Sequence, residues 1–228
     1  LKEGKITWQF LTNNLATKIM SQSLAESLIK TLPYGIKNLF NPYRDQCPHD
    51  TGNSGPEEKL NRLASHLNCD PEFITCGEAI GYAGARYSGI AFTSERLLGE
   101  GAIPRVAVSE LRLTDRKLPF SEPSATIVWK TLYRLGIAER TILWNAVQLH
   151  PYKNGIPWSN RTPSPGEVAL GEPALRLLIE AFPKAKIVAV GKKSDGLLRE
   201  MGIVPIGAVR HPANGGATLF AAGMQKLM

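Results

Sequence analysis

Four apolar, β-like runs separated by helical stretches constrain this chain more than any other feature of its sequence. They are Phe73–Cys76, which ends in Gly77; Thr141–Leu149; Ala185–Val190, which ends in Gly191; and Val204–Val209. The segments between them carry helix signals. Ser121-Glu122-Pro123 opens a helix through about Leu135, with Ile127, Val128, Thr131, Leu132 and Leu135 on its apolar face. Ser164-Pro165-Gly166-Glu167 is a capping box with proline at the first helical position, starting a helix through about Ala181. Ser194–Met201 is a third helix, stopped by Gly202. Strands alternating with helices in this way predict an α/β fold: a four-stranded parallel sheet with helices on both faces.

Two further regions lie before the first run. Leu11, Leu15, Ile19, Leu24, Leu28 and Leu32 recur near helical spacing, so residues 1–32 read as helical until Pro33-Tyr34-Gly35 breaks the pattern. Residues 41–58 are rich in Pro, Gly, Asn and Asp and predict a long surface loop, and a helix resumes over Glu57–Leu67. The expected division is an N-terminal helical arm and loop over 1–58 and an α/β domain over 59–228. Thr93 or Ser94 is placed to cap a short helix through Leu98, and Val106–Leu113 reads as a strand or an irregular edge.

Composition narrows the function classes. With 43% hydrophobic and 21% charged residues the chain is an ordinary globular one, and no apolar run approaches the roughly 18 residues of a membrane span. The first residues, LKEGKITWQF, lack the basic-then-apolar order of a signal peptide, so the expected location is the cytoplasm, at the nucleoid if DNA is the partner. A net charge of +7, spread along the chain, favours a polyanionic partner through counterion release. Cys47, Cys69 and Cys76 form no CxxC pair and fit no standard zinc spacing with His49 and His66, so neither a metal nor another cofactor is expected.

In an open parallel sheet, ligands bind beyond the carboxyl ends of the strands. The first strand is followed by Gly77-Glu78-Ala79-Ile80-Gly81-Tyr82-Ala83-Gly84, the third by Gly191-Lys192-Lys193, and the fourth by Arg210-His211-Pro212-Ala213-Asn214-Gly215-Gly216. Asn145 lies within the second, ahead of His150-Pro151-Tyr152. Most of these residues have a duller reading. The glycines serve a strand-to-helix turn, Phe92 is core, Lys192–Lys193 is a solvated face, His150 and Tyr152 are loop residues, and His211 before Pro212 ends a strand. Asn145 says more: a buried amide left unsatisfied costs about 1–3 kcal/mol, so it needs a partner in neighbouring backbone or in a ligand. No dinucleotide G-x-G-x-x-G or nucleotide G-x-x-x-x-G-K-[ST] pattern occurs.

Taken in order, these segments resemble the uracil-DNA glycosylase superfamily, closest to its iron–sulfur (family 4) branch, over about Phe73 to Gly223. GEAIGYAGARYSGIAFTSERLL (77–98) is similar to the first motif of that branch, ILWNAVQLHPY with NRTPSPGE to its middle strand and helix start, KIVAVGKKSDGLL to its next strand–helix unit, and VRHPANGG to its last motif. The resemblance implies base flipping into a pocket. It implies that Phe92 stacks on the base and that the Asn145 carboxamide pairs with uracil O4 and N3–H, excluding cytosine. His211 would donate to O2 of the departing base, and Glu78 would position water or stabilise the sugar cation. Backbone of Gly77, Ala79, Ile80, Gly81 and Tyr82 would line the base site. Arg210, Pro212, Ala213, Asn214, Gly215, Lys192 and Lys193 would face DNA.

The departures from the family pattern carry their own expectations. Ala79 stands where several families place a water-activating Asp or Asn, and Ile80 replaces the usual proline. Gly81 occupies the position of a thymine-excluding tyrosine, leaving that role to Tyr82 or Arg86. The loop after His211 lacks a large wedge side chain, and the paired cysteines of an iron–sulfur cluster are missing. The expected activity is therefore monofunctional, cofactor-free hydrolysis of the N-glycosidic bond of uracil or another deaminated base in DNA, by a monomer without membrane contact. Alternatives are a DNA-binding superfamily member with weak or no turnover, and an enzyme of free nucleobases or nucleosides.

Overall fold

The computed structural model describes residues 17–109 and 111–228; Leu11 and Leu15 lie outside the described residues. A helix over 17–30 (α1) leads to the two-residue strand β1 (Leu39–Phe40) and helix α2 (Pro56–Leu67). Then follow β2 (Phe73–Ala79), the short helices α3 (Ala85–Ser88) and α4 (Glu95–Gly99), and α5 (Pro123–Arg134). The second half runs β3 (Thr141–Val147), β4 (His150–Pro151), α6 (Pro165–Ala181), β5 (Lys186–Val190), α7 (Lys192–Glu200), β6 (Gly207–Val209) and α8 (Ala217–Lys226).

Four strands form one sheet in the order β3-β2-β5-β6, every pair parallel. Because side chains alternate across a strand, each strand feeds two cores. Ile74, Cys76, Ile142, Trp144 and Ala146 meet α1, α2, α6 and α7 on one face. Phe73, Leu143, Val188, Val190 and Val209 meet α4, α5 and α8 on the other. The expected α/β sheet with helices on both faces is therefore the observed one, and the Ser164–Glu167 capping box forms with both of its reciprocal bonds. Among the described residues, no helix is long and apolar enough to cross a membrane.

The chain leaves β2 toward β3, then returns past β2 to β5. Neighbouring strands β2 and β5 thus send their connections in opposite directions, and the crevice at their carboxyl ends is where such a sheet binds ligands. Edge strand β3 is capped on its open side. The Leu143 amide donates to His66 Nε2 at 2.9 Å, and burial pushes the His66 pKa down to about 3, keeping the ring a neutral acceptor.

Two local expectations are corrected, and one left open between two forms is resolved. Residues 41–58 are not a surface loop: Asn41, Tyr43, Cys47 and Ser54 are buried, and Asp50 pairs with buried Lys59 at 2.6 Å. Proline and glycine content predicted irregular backbone correctly but not its packing. Val106–Leu113, read as a strand or an irregular edge, takes the irregular form over its described residues. Its far end is held by the Glu95 carboxylate, which accepts from Arg112, the Leu113 and Thr114 amides, Thr114 Oγ1 and the Phe120 amide. Ile19 is exposed despite its place in the helical repeat, whereas Leu28 and Leu32 are core.

Candidate active site

A cleft of about 1280 Å³ opens at the carboxyl edge of the sheet, over the β2–β5 switch point. It brings together Glu78, Ala79, Ile80, Gly81, Phe92, Asn145, Lys192, Lys193, Arg210, His211, Ala213 and Asn214, residues drawn from all four strand ends. Gly77, Tyr82, Pro212 and Gly215 do not line it. Tyr82 packs edge-on against Tyr87 and Phe120 instead.

Strand parity explains the centre of the cleft. Asn145 shares the face of Leu143, and Gly77 is its register partner on β2. Phe92 approaches the same spot from the loop after α3. A Cβ on Gly77 would lie 2.5 Å from Asn145 Oδ1 and 2.7 Å from Phe92 Cζ, so only glycine lets the ring and the amide come together. Phe92 has φ of 49°, a left-handed conformation unfavourable for a bulky side chain by about 1–3 kcal/mol. Ser88 Oγ opposes that strain by donating to the Thr93 carbonyl at 2.8 Å and accepting from the Ile90 amide at 3.1 Å. Trp129 Nε1 adds a 3.1 Å bond to Thr93 Oγ1.

His211 has a defined tautomer. The Ala213 amide donates to Nδ1 at 3.1 Å, so the proton of the neutral ring sits on Nε2, which has no protein acceptor among the described residues. Burial, and then the neighbouring Arg210 charge, hold its pKa below the usual histidine value. A neutral N–H donor therefore faces the cleft, 6.2 Å between ring centroids from Phe92. Two glycines permit this placement: a Cβ on Gly191 would come within 3.3 Å of His211 Cβ, and one on Gly216 within 2.1 Å of its carbonyl oxygen.

Glu78, the penultimate residue of β2, pairs with Lys193 at 3.5 Å, and Lys193 also donates to Thr162 Oγ1. Lys192 and Arg210 are exposed at the rim. The turn after β2 offers fewer free amides than its glycine content implies. The Ile80 amide is taken by the Leu149 carbonyl at 3.1 Å and the Tyr82 amide by Asn160 Oδ1 at 2.8 Å. Because α3 has only four residues, it contributes little helix dipole.

Arg86 and His150 leave the roles sequence reading gave them. Arg86 is buried, stacks 3.7 Å over Phe40, and donates to His150 Nδ1 at 2.8 Å, away from the cleft. His150 is not a loop residue: it lies buried in β4, donating through Nε2 to the Ser159 carbonyl at 2.9 Å. Its pKa is pushed down to about 4 by burial and then by the Arg86 charge.

Several cleft residues lie outside the site expected from sequence, and three of them stand out. Asn160 and Arg161 follow β4; Asn160 holds the Tyr82 amide, and Arg161 is locked to Glu167 by two bonds of 2.7 and 2.6 Å. Glu122, read only as a helix opener, turns its carboxyl onto the wall formed by Gly81 and Gly84. A Cβ on Gly84 would fall 1.8 Å from Glu122 Oε2, and one on Gly81 3.9 Å from Oε1. No side chain or amide among the described residues pairs with that carboxyl, and burial raises its pKa to about 7. Its only sequence signal was position, immediately before α5 on the β2-to-β3 connection.

Glu122 yields a pH prediction. Its pKa rises from 4.5 unfolded to about 7 folded, so the folded state holds the proton more tightly. The associated stability is full below pH 4.5 and is lost as pH rises toward 7. For a half-buried group we expect a cost of roughly 2 kcal/mol at pH 8, after allowing for solvent screening. Glu122→Gln should therefore raise Tm at pH 8 by roughly 4–8 °C and leave it nearly unchanged at pH 4.5, measured by calorimetry across pH.

Cys47 and Cys76 are buried and Cys69 is partly so; among the described residues no group of three His, Cys, Asp or Glu side chains is placed to hold a metal ion. The uracil DNA glycosylase superfamily profile matches residues 64–217, about two-thirds of the chain. Among solved structures, the crystal structure of wild-type Pedobacter heparinus SMUG2 is similar at a TM-score of 0.56 and 16% sequence identity, covering 91% of this chain and 95% of that one. A sequence search of curated proteins returned no match. With the profile spanning β2 to the start of α8 and every cleft-forming strand end inside it, the chain belongs to the uracil DNA glycosylase superfamily.

Proposed function

We propose that this protein is a monofunctional DNA glycosylase that hydrolyses the N-glycosidic bond of uracil or another deaminated base in DNA. One observation carries the reading. A planar amide, an aromatic ring and a neutral imidazole N–H from three separate segments converge on one cleft, around a glycine that leaves room between amide and ring. Phe92 stacks on the flipped base, and Asn145 reads its O4 and N3–H edge. His211 donates from Nε2 to O2 as negative charge develops there. A neutral donor suits that task, because it stabilises the departing anion without giving up its proton. Glu78 lies at the sugar side, where its carboxylate stabilises positive charge or orients water.

Water, not lysine, is the nucleophile in this reading. Lys193, in the cleft, has its ammonium engaged by Glu78 and Thr162. The exposed cations Lys192 and Arg210, with the Pro212–Gly215 loop, contact DNA phosphates and give salt-sensitive binding. His211→Ala is expected to lower the single-turnover excision rate by about 100- to 1000-fold, the cost typical of losing one oxyanion donor. Far-UV circular dichroism should be unchanged.

A second reading is a member that binds damaged DNA with little turnover. The methyl group of Ala79 in the cleft wall, where a water-activating side chain would sit, favours it. Labelled single- and double-stranded oligonucleotides carrying uracil, hypoxanthine, xanthine or mismatched thymine decide between the two. Alkali-labile sites at one or more deaminated bases support excision. Salt-sensitive binding without an abasic product, at protein excess, supports the second reading.

A further inference from the structure

The Asn145 amide is not free to present either edge to a ligand. Its Nδ2 donates to Gln148 Oε1 at 3.1 Å, Gln148 Nε2 donates to Tyr43 Oη at 2.8 Å, and Tyr43 Oη donates to the Gly89 carbonyl at 2.5 Å. All three side chains are buried, with exposures of 3%, 0% and 3% for Asn145, Gln148 and Tyr43. The direction of the chain follows from its last link. A carbonyl oxygen only accepts, so the Tyr43 hydroxyl must give its proton to Gly89 and accept from Gln148. Gln148 then has its amide nitrogen toward Tyr43 and its oxygen toward Asn145, which must answer with nitrogen. One Nδ2 proton and Oδ1 are left for a ligand, in one order only.

The relay also reaches the other half of the pocket. Gly89 ends α3 in a left-handed conformation, φ of 80°, and begins the loop that carries Phe92. Tyr43 is itself fixed by Asn41, whose Oδ1 accepts the Tyr43 amide at 3.0 Å and whose Nδ2 donates to the Pro33 carbonyl at 2.9 Å. Tyr43 lies outside the stretch shared with the superfamily profile, which begins at residue 64.

We propose that Tyr43 and Gln148 are positioning residues that set the donor–acceptor polarity of Asn145, and so its choice between bases of opposite hydrogen-bond pattern. The proposal rests on the reading of Asn145 as the base-recognising group. Uracil matches the enforced order, an acceptor opposite Nδ2 and a donor opposite Oδ1. Cytosine, with an amino donor and a bare N3, matches the reverse. Without the Tyr43 hydroxyl, Gln148 can turn its amide over and Asn145 follows, so part of the population offers the wrong order.

The test compares excision of uracil and of cytosine from otherwise identical single-stranded oligonucleotides. It uses the full chain and its Tyr43→Phe, Gln148→Glu and Asn145→Ala variants. Tyr43→Phe should lower the uracil rate and reduce the uracil-to-cytosine ratio by on the order of tenfold, since a buried polar group left unpaired is costly enough to drive rearrangement. Gln148→Glu should keep the ratio within about twofold to threefold of the parent, because a carboxyl in either protonation state still accepts from Asn145. A merely structural role predicts the opposite, with the buried carboxyl the more damaging change and no effect on selectivity. If Tyr43→Phe keeps the parental ratio while Asn145→Ala loses excision, the relay is refuted and the reading of Asn145 stands. If Asn145→Ala excises uracil normally, that reading itself fails. Should Tyr43→Phe not fold, Gln148→Leu, which cuts the relay at its first link, must show the same loss of ratio.

Discussion

Asn145→Ala is expected to lower uracil excision about 100- to 1000-fold while the protein stays folded. The alanine removes both groups that face the base, and interactions of this kind in a closed site are worth several kcal/mol in the transition state. The structural cost is smaller. Gln148 Oε1 loses its donor, a penalty of about 1–3 kcal/mol, so Tm falls by roughly 2–12 °C. Asn145→Asp sharpens the test. It keeps the shape but replaces the donor with a second acceptor, placed against the Gln148 oxygen. Loss of activity equal to that of the alanine variant would show that hydrogen-bond polarity, not volume, is what Asn145 supplies. Single-turnover kinetics with calorimetry on the same samples separates the two effects.

Gly77→Ala is expected to be as damaging by a different route. A methyl group there lies 2.5 Å from Asn145 Oδ1 and under 3.0 Å from two Phe92 ring atoms, closer than atoms approach in folded proteins. Neither neighbour can yield cheaply. Asn145 is held by the Gln148–Tyr43 relay, and Phe92 sits on a backbone already in a left-handed conformation. Overpacking of this kind costs about 1–3 kcal/mol of stability. The larger effect is on the pocket, since displacing ring and amide by even an ångström removes the geometry on which base recognition depends. Excision should fall by at least about 100-fold. Gly196→Ala, in α7 and outside the cleft lining, is the control, because its methyl group would meet nothing within 4 Å. Retained activity in Gly77→Ala would mean that the base does not lie between Phe92 and Asn145.

The sheet and the strand-end chemistry were legible because they depend on short-range patterns. Runs such as KIVAV and TILWNAV are too short for helices and too apolar for loops. The rule that ligands sit at carboxyl ends of parallel strands then brought Glu78, Asn145, Lys193 and His211 to one edge. Even the Gly77–Asn145 pairing follows from strand parity once the register is known. What stayed hidden depends on long-range packing. Nothing local marks Tyr43 as a partner of Gln148, 105 residues away, or Glu122 as the carboxyl over Gly81. The missing tyrosine at Gly81 left thymine exclusion to Tyr82 or Arg86, but aromatic neighbours Phe40, Tyr87 and Phe120 draw both into a separate cluster. His150 shows the same limit. Its burial depends on β1, a two-residue strand paired antiparallel with β4 and contributed by a segment whose composition reads as solvent-exposed.

The central claim is that this cleft removes a base from DNA. The most direct measurement incubates an excess of the protein with an end-labelled single-stranded oligonucleotide containing one uracil, followed by alkali and separation of the fragments. A break at the uracil position that grows with time, and that Asn145→Ala and His211→Ala each suppress by about two orders of magnitude, is the predicted result. No break at protein excess, or a break that both variants produce at the parental rate, would contradict the account.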